Sequence, residues 1–231
     1  MTGAAPSLKD VLRPVKHVLL DFDGPVCSVF AGMPAPEIAR RLRLGMVDAG
    51  VQGTDSLADE TDPLALLRLI AASRPDLTAT MDSELALLET KATRIGRPNP
   101  GGESVLRACA ESGRLVSIVS NNAGTAIEEY LDRQGLNCYV TGVYGRTPGD
   151  PSSMKPSPRL LLEAMNAARS KPEECIFIGD AVRDVEAGDA ANVPTIGYAN
   201  KPGKEARLAA AGAIFVVESM QIIADVMPRP E

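Results

Sequence analysis

The sequence has no tryptophan and only 3% aromatic residues, so it lacks the stacking platforms on which single-stranded nucleic acid is bound. Its 24 Lys and Arg are outnumbered by 30 Asp and Glu, a formal charge of −6, whereas a chain that tracks a phosphate backbone needs a basic face. Nucleic acid is therefore not an expected partner, although a local basic pocket for a small anion is compatible with this balance. The single histidine, His17, cannot build a His-rich zinc site, and its place inside an apolar strand pattern suits packing. Cys27, Cys109, Cys138 and Cys175 are scattered, with no CxxC pair, and read as small buried hydrophobes in a reducing compartment. No run approaches a membrane span and no leader pattern opens the chain, so a cytoplasmic location and no membrane partner are expected.

What is present, 231 residues with 45% apolar and 23% charged, suits one sizeable core or a core with a smaller inserted module. The organising stretch is Val18-Leu19-Leu20-Asp21-Phe22-Asp23-Gly24-Pro25, an apolar strand that ends in two carboxylates and a Gly-Pro turn. The two carboxylates, Asp21 and Asp23, are read as having two separate roles, one at the reacting centre and the other offset from it. After a stretch rich in Gly and Pro, residues 35–95 show three helical patterns. They are marked by Ile38, Leu42 and Met46, then by Leu64, Leu67 and Ile70 behind an Asp62-Pro63 start, then by Leu85, Leu88, Ala92 and Ile95. This block closes at a Pro/Gly-rich hinge over 97–102 and reads as an insertion, which gives a core of 1–32 and 98–231 and a helical cap of 33–97.

Beyond the hinge, helices and strands alternate. Helices are expected over 103–112, 123–134, 158–169, 182–191, 203–211 and 219–227, and strands over 115–119, 139–144, 175–178, 193–197 and 213–217. Uniformly apolar strands separated by amphipathic helices predict a doubly wound parallel α/β sheet covered on both faces. In such a sheet, ligands bind outside the carboxyl ends of the strands. Asp21 and Asp23, then Ser120-Asn121-Asn122, then Gly179-Asp180 with Asp184 four residues on, all fall at such ends, and Lys155 precedes the helix at 158. Taken singly they are caps and solvated charges; together they converge on one edge. Crowded carboxylates without nitrogen or sulfur donors call for a hard divalent cation, Mg²⁺ beside a phosphate. A phosphate ester dianion would also need Lys155 and the Ser120 hydroxyl, and an ionised Asp would then be placed to attack phosphorus.

In this order and at these strand ends, Asp21-Phe22-Asp23-Gly24, Ser120, Lys155 and Gly179-Asp180 through Asp184 resemble the motifs of the haloacid dehalogenase superfamily. The phosphoglycolate-phosphatase-like branch is similar in having a helical cap after the first strand. The resemblance implies Asp21 as nucleophile and Mg²⁺ ligand, and Asp23 as acid/base with its carbonyl on the metal. It implies Asp180 as a direct ligand and Asp184 as a ligand or an outer anchor. Ser120, Asn121 and Lys155 would hold the phosphate of a small phosphorylated substrate. Pro25 and Ala181 depart from the hydroxyl residues common at those positions. The same core chemistry also fits a sugar-phosphate mutase. A phosphonate hydrolase would need Lys91, the one lysine of 33–97, for a Schiff base, and a catalytically silent binding module is the reading of another class. Arg43, Lys91 and Arg97 are the charges in or beside the cap that could face a substrate, with solvated surface charge as the plainer reading.

Overall fold

The computed structural model describes residues 6–48, 57 and 59–227. Its first half runs α1 (Leu8–Leu12), β1 (His17–Leu20), β2 (Cys27–Ser28), α2 (Ala35–Asp48), α3 (Pro63–Ser73), α4 (Thr78–Ile95), β3 (Arg97–Pro98) and α5 (Pro100–Glu111). The second half runs β4 (Leu115–Ala123), α6 (Gly124–Gln134), β5 (Gly142–Arg146), α7 (Arg159–Ala168), β6 (Cys175–Gly179), α8 (Val182–Ala190), β7 (Thr195–Tyr198), α9 (Lys204–Ala210), β8 (Phe215–Val217) and α10 (Met220–Val226).

Six strands form one sheet in the order β5-β4-β1-β6-β7-β8, every pairing parallel, as uninterrupted apolar strands joined by helices require. Both faces are buried. Val18 and Leu20 of β1 belong to one apolar cluster with Ile118 and Ile178, while Leu19 faces the other with Val119 and Phe177. The first cluster continues without a break through Phe22, Val26 and Val29 to Leu42, Leu67 and Leu85 of α2, α3 and α4. Phe22 meets Tyr130 of α6 edge to face, with ring centroids 5.1 Å apart. His17 is fully buried and bridges two hydroxyls, Ser170 Oγ at 2.8 Å from Nδ1 and Ser117 Oγ at 2.9 Å from Nε2.

The three inserted helices lie where their apolar spacing predicts, and Asp62 caps α3 by accepting the Leu64 N–H at 2.9 Å. Several boundaries differ from expectation. Helix α5 starts at Pro100 and not at 103, because Asn99 caps it by accepting the Gly101 N–H at 3.1 Å and proline fits the first turn. Strand β4 runs through Ser120-Asn121-Asn122 to Ala123, with an irregular register against β5, so the polar triplet ends the strand instead of following it. Strand β5 lies at Gly142–Arg146 and not 139–144, since Gly135 stops α6 in a left-handed conformation and a 3-10 turn takes up Asn137–Tyr139. Strands β7 and β8 begin two residues later than expected. An unexpected antiparallel ribbon pairs Cys27 with Pro98 and Ser28 with Arg97, so the chain leaves for the insertion and returns from it side by side.

Candidate active site

The register of the central strands builds the site. Leu20 pairs with Ile118 on one side and Ile178 on the other, so Asp21, the segment after Val119 and Gly179-Asp180 emerge at one level. They open into a cavity of about 420 Å³ lined by Asp21, Asp23, Ser120, Lys155, Asp180 and Asp184, with Asn121 beside them. Thus Asp21, Asp23, Ser120, Asn121, Lys155, Asp180 and Asp184 are brought to one cavity.

Lys155 is the hub. Its ammonium, 1% exposed, lies 2.8 Å from Asp21 Oδ1 and 2.7 Å from Asp184 Oδ1, and donates to the Val119 carbonyl at 3.0 Å. The Asp184 contact is an ion contact without a directed hydrogen bond. Burial drives the Lys155 pKa down, but Asp184 and Asp21 outweigh it and hold the amine above the ordinary lysine range. Asn121 fixes the backbone of this lysine: its Oδ1 accepts the Lys155 N–H at 2.7 Å and its Nδ2 donates to the Lys155 carbonyl at 3.1 Å. The Asn121 side chain is thereby committed to the Lys155 backbone.

Burial raises Asp21 to about 7, with Asp184 and Asp180 adding to the rise and Lys155 opposing it. Asp23, half-buried, is raised to about 6 chiefly by burial, and its Oδ1 accepts the Val29 N–H at 2.9 Å. Asp184 turns its other oxygen to the N–H groups of Asp180 and Ala181, at 3.0 and 2.9 Å, and so ties the start of α8 to the end of β6. The hydroxyl absent at Ala181 is not needed for that tie.

Two partners of Asp180 escaped the sequence reading. Lys204 Nζ, at the start of α9, donates to Asp180 Oδ2 at 2.5 Å, and Asn200 Nδ2, in the turn after β7, donates to the same oxygen at 2.8 Å. Their strand-end position was the available signal. Gly24, at φ 110°, stands so close that a Cβ there would lie 2.6 Å from Asp180 Oδ2. Arg43, Lys91 and Arg97 do not line the cavity: Arg43 donates to the Glu60 carbonyl, and Lys91 and Arg97 are exposed. The insertion contributes Thr61, Asp62 and Leu64 to the lining instead. The Schiff-base role considered for Lys91 thus has no lysine of the insertion at the cavity among the described residues.

Carboxylate oxygens of Asp21, Asp180 and Asp184 approach within 4.8 Å of one another. The set is oxygen-only: Asp21, Asp180 and Asp184 contact two ammonium groups, Lys155 and Lys204, and Asp23 adds a fourth acid at the same cavity without a cation in contact among the described residues. The two negative charges left over fit a hard divalent cation. A cation among these carboxylates would draw the Asp21 pKa back down.

A parallel α/β fold with clustered acids and a buried lysine at the strand ends is a Rossmann-like architecture with an acidic site at its carboxyl edge. The family model of haloacid dehalogenase-like hydrolases matches residues 79–198, and the chain belongs to that family. It is 27% identical over 229 residues to a phosphoglycolate phosphatase of Cupriavidus necator, covering 92% of this chain and 93% of that one. A phosphoglycolate phosphatase of Photorhabdus laumondii is 24% identical over 192 residues, 81% of each chain. A haloacid dehalogenase-like family hydrolase of Streptococcus pneumoniae shares the fold with a TM-score of 0.67 at 14% identity, over 93% of this chain and 99% of that one.

Proposed function

We propose that the chain is a Mg²⁺-dependent phosphatase that hydrolyses a small phosphate monoester through a phosphate held covalently on Asp21. The observation that carries this reading is the buried Lys155 ammonium set between Asp21 and Asp184, on the floor of a cavity sized for a small metabolite. Relatives with the same activity in their names support it.

Asp21 attacks phosphorus, and the bond from phosphorus to the ester oxygen breaks as Asp23 gives its proton to the departing oxygen. In the second step Asp23 takes a proton from water, which attacks the same phosphorus, releases phosphate and returns Asp21 as a carboxylate. An Asp23 pKa raised by burial suits a group that must carry a proton in one step and accept one in the next. Lys155, the Ser120 hydroxyl and the Asn121 backbone N–H hold the phosphate oxygens. Asp21, Asp180 and the Asp23 carbonyl would hold Mg²⁺, with Asp184 as a ligand or anchor behind them; the ion, when bound, offsets the charge of the phosphate oxygens. Residues 33–97 act as a cap that excludes water and reads the rest of the substrate through Thr61, Asp62 and Leu64.

The test is turnover of p-nitrophenyl phosphate and of a panel of phosphorylated metabolites, phosphoglycolate among them, by the purified chain with Mg²⁺ and with EDTA. Hydrolysis that stops in EDTA and returns with Mg²⁺ is expected. Full activity in the chelator, or none on any ester with Mg²⁺ present, contradicts the proposal.

A further inference from the structure

Helix α4 belongs to the insertion, yet one of its side chains grips the strand end that carries Ser120. Glu89, 0% exposed, accepts Asn122 Nδ2 at 3.0 Å on Oε1, and the Ala123 N–H at 3.0 Å and Arg146 Nη1 at 2.6 Å on Oε2. Arg146, at the end of β5, reaches α4 again through Asp82, two turns earlier, with Nε 2.5 Å from Oδ1. Asp82 turns its other oxygen to the Gly149 N–H at 2.7 Å. All of these side chains are buried.

An ionised carboxylate can only accept hydrogen bonds, so Asn122 must turn its NH₂ to Glu89 and its carbonyl oxygen to Ser120. Ser120 Oγ donates to that oxygen at 3.2 Å and accepts the Asn122 N–H at 3.3 Å. A chain of hydrogen bonds therefore runs from Arg146 and α4 through Glu89 and Asn122 to the Ser120 hydroxyl. A buried ion cluster serving stability alone would account for both acids paired with Arg146. It does not account for Glu89 also anchoring two successive residues of the strand end while Asp82 touches none of 120–123.

We infer that Glu89 is a positioning residue for phosphate binding, fixing the Ser120 hydroxyl and the 120–123 backbone through Asn122 and Ala123, so that the inserted helix forms part of the phosphate site. This rests on the reading of Ser120 as a phosphate donor: its one O–H, given to Asn122 Oδ1 in this structure, turns to a phosphate oxygen when the anion binds, while the Asn122 N–H still holds Oγ.

Inorganic phosphate, as a competitive inhibitor of p-nitrophenyl phosphate turnover by the full chain with Mg²⁺, is the probe. In Glu89→Gln the carboxamide can accept on one oxygen only, so one strand-end anchor is lost, and the phosphate inhibition constant should rise about tenfold, the scale of one lost buried hydrogen bond. That rise should shrink when Ser120→Ala is already in place, leaving only the part carried by the Ala123 N–H. Asp82→Asn removes a partner of the same Arg146 away from 120–123; it should lower the melting temperature while moving the inhibition constant less than about twofold. Asn122→Ala spares the contacts of Glu89 with Arg146 and Ala123, and should reproduce the weakened phosphate binding even if Glu89→Gln fails to fold. Unchanged phosphate inhibition in Glu89→Gln and Asn122→Ala, or an equal change in Asp82→Asn, overturns the inference. If Ser120→Ala itself leaves phosphate inhibition untouched, the donor role of Ser120 falls and the inference falls with it; if only Ser120→Ala weakens phosphate, the relay alone is wrong.

Discussion

Lys155 is a buried ammonium that stays charged because two carboxylates and a carbonyl surround it, and under the proposed function the same placement would make it the positive pole for an incoming phosphate. Lys155→Ala should lower kcat/KM by about 10²-fold or more, the scale of lost transition-state electrostatics, whereas a lysine of structural value alone would show its loss in stability and spare turnover of the folded fraction. Steady-state kinetics beside a melting curve separates the two. His17 makes a different prediction. Burial lowers its pKa to about 4, from near 6.5 when the chain is unfolded. Between those values the unfolded chain binds the proton and the folded one does not, so stability is full above pH 6.5 and falls as pH drops toward 4. The loss should reach about 2–3 kcal/mol near pH 4. Urea titrations of the wild type and His17→Gln, compared across that range, should differ by this slope. The acids and Lys155 were legible in the sequence because strand ends in a parallel sheet collect ligand-binding groups. Asn200, in the turn after β7, and Lys204, at the start of α9, follow such an end too, but around a Pro-Gly turn where polar and charged residues read as solvated.

At the level of elements, α4 does most to join insertion to core. Asp82 and Glu89 stand seven residues apart beside the apolar stripe of Met81, Leu85, Leu88 and Ala92, and both face Arg146. Arg146→Met would leave two buried carboxylates without their counter-charge, and chemical denaturation should show a loss of about 3–5 kcal/mol. Sequence periodicity located this helix but gave no reason to bury its acids, since a lone charge near an apolar stripe reads as a solvated flank. The β2–β3 ribbon was illegible for another reason: two-residue strands carry no alternation. The turn it follows is tight. Asn99 Nδ2 donates to the Gly24 carbonyl at 3.0 Å, and Gly24 sits at a left-handed φ of 110° against Asp180. Gly24→Ala should therefore weaken Mg²⁺ binding, measured by calorimetry, by pushing the Asp180 carboxylate away; unchanged affinity would show that Asp180 does not need its present place.

Across the whole molecule, one apolar cluster runs from the sheet into the inserted helices, and the buried ions around Arg146 bind α4 to β4 and β5. The alternating order of elements made the sheet readable and the uniformly apolar strands made it parallel. How firmly the insertion is held was not readable, because it depends on partners far apart in sequence. Amide hydrogen exchange should place α4 with the slowly opening strands β1 and β4, and should show α2 opening first, with α3, held by Arg68 on the Lys155 carbonyl at 2.7 Å, between the two. Uniform exchange across the three helices would mean that the insertion opens as one body. The central claim, that Asp21 carries the phosphate, is tested most directly by rapid acid quench of Asp23→Asn with labelled p-nitrophenyl phosphate and Mg²⁺, followed by mass spectrometry of the digested chain. That leaving group hardly needs a proton, so the first step should be partly spared and the second slowed by about 10² to 10⁴. Phosphate should then accumulate on Asp21 and be absent in the Asp21→Asn form; label on Ser120, or wild-type turnover by Asp21→Asn, would contradict the account.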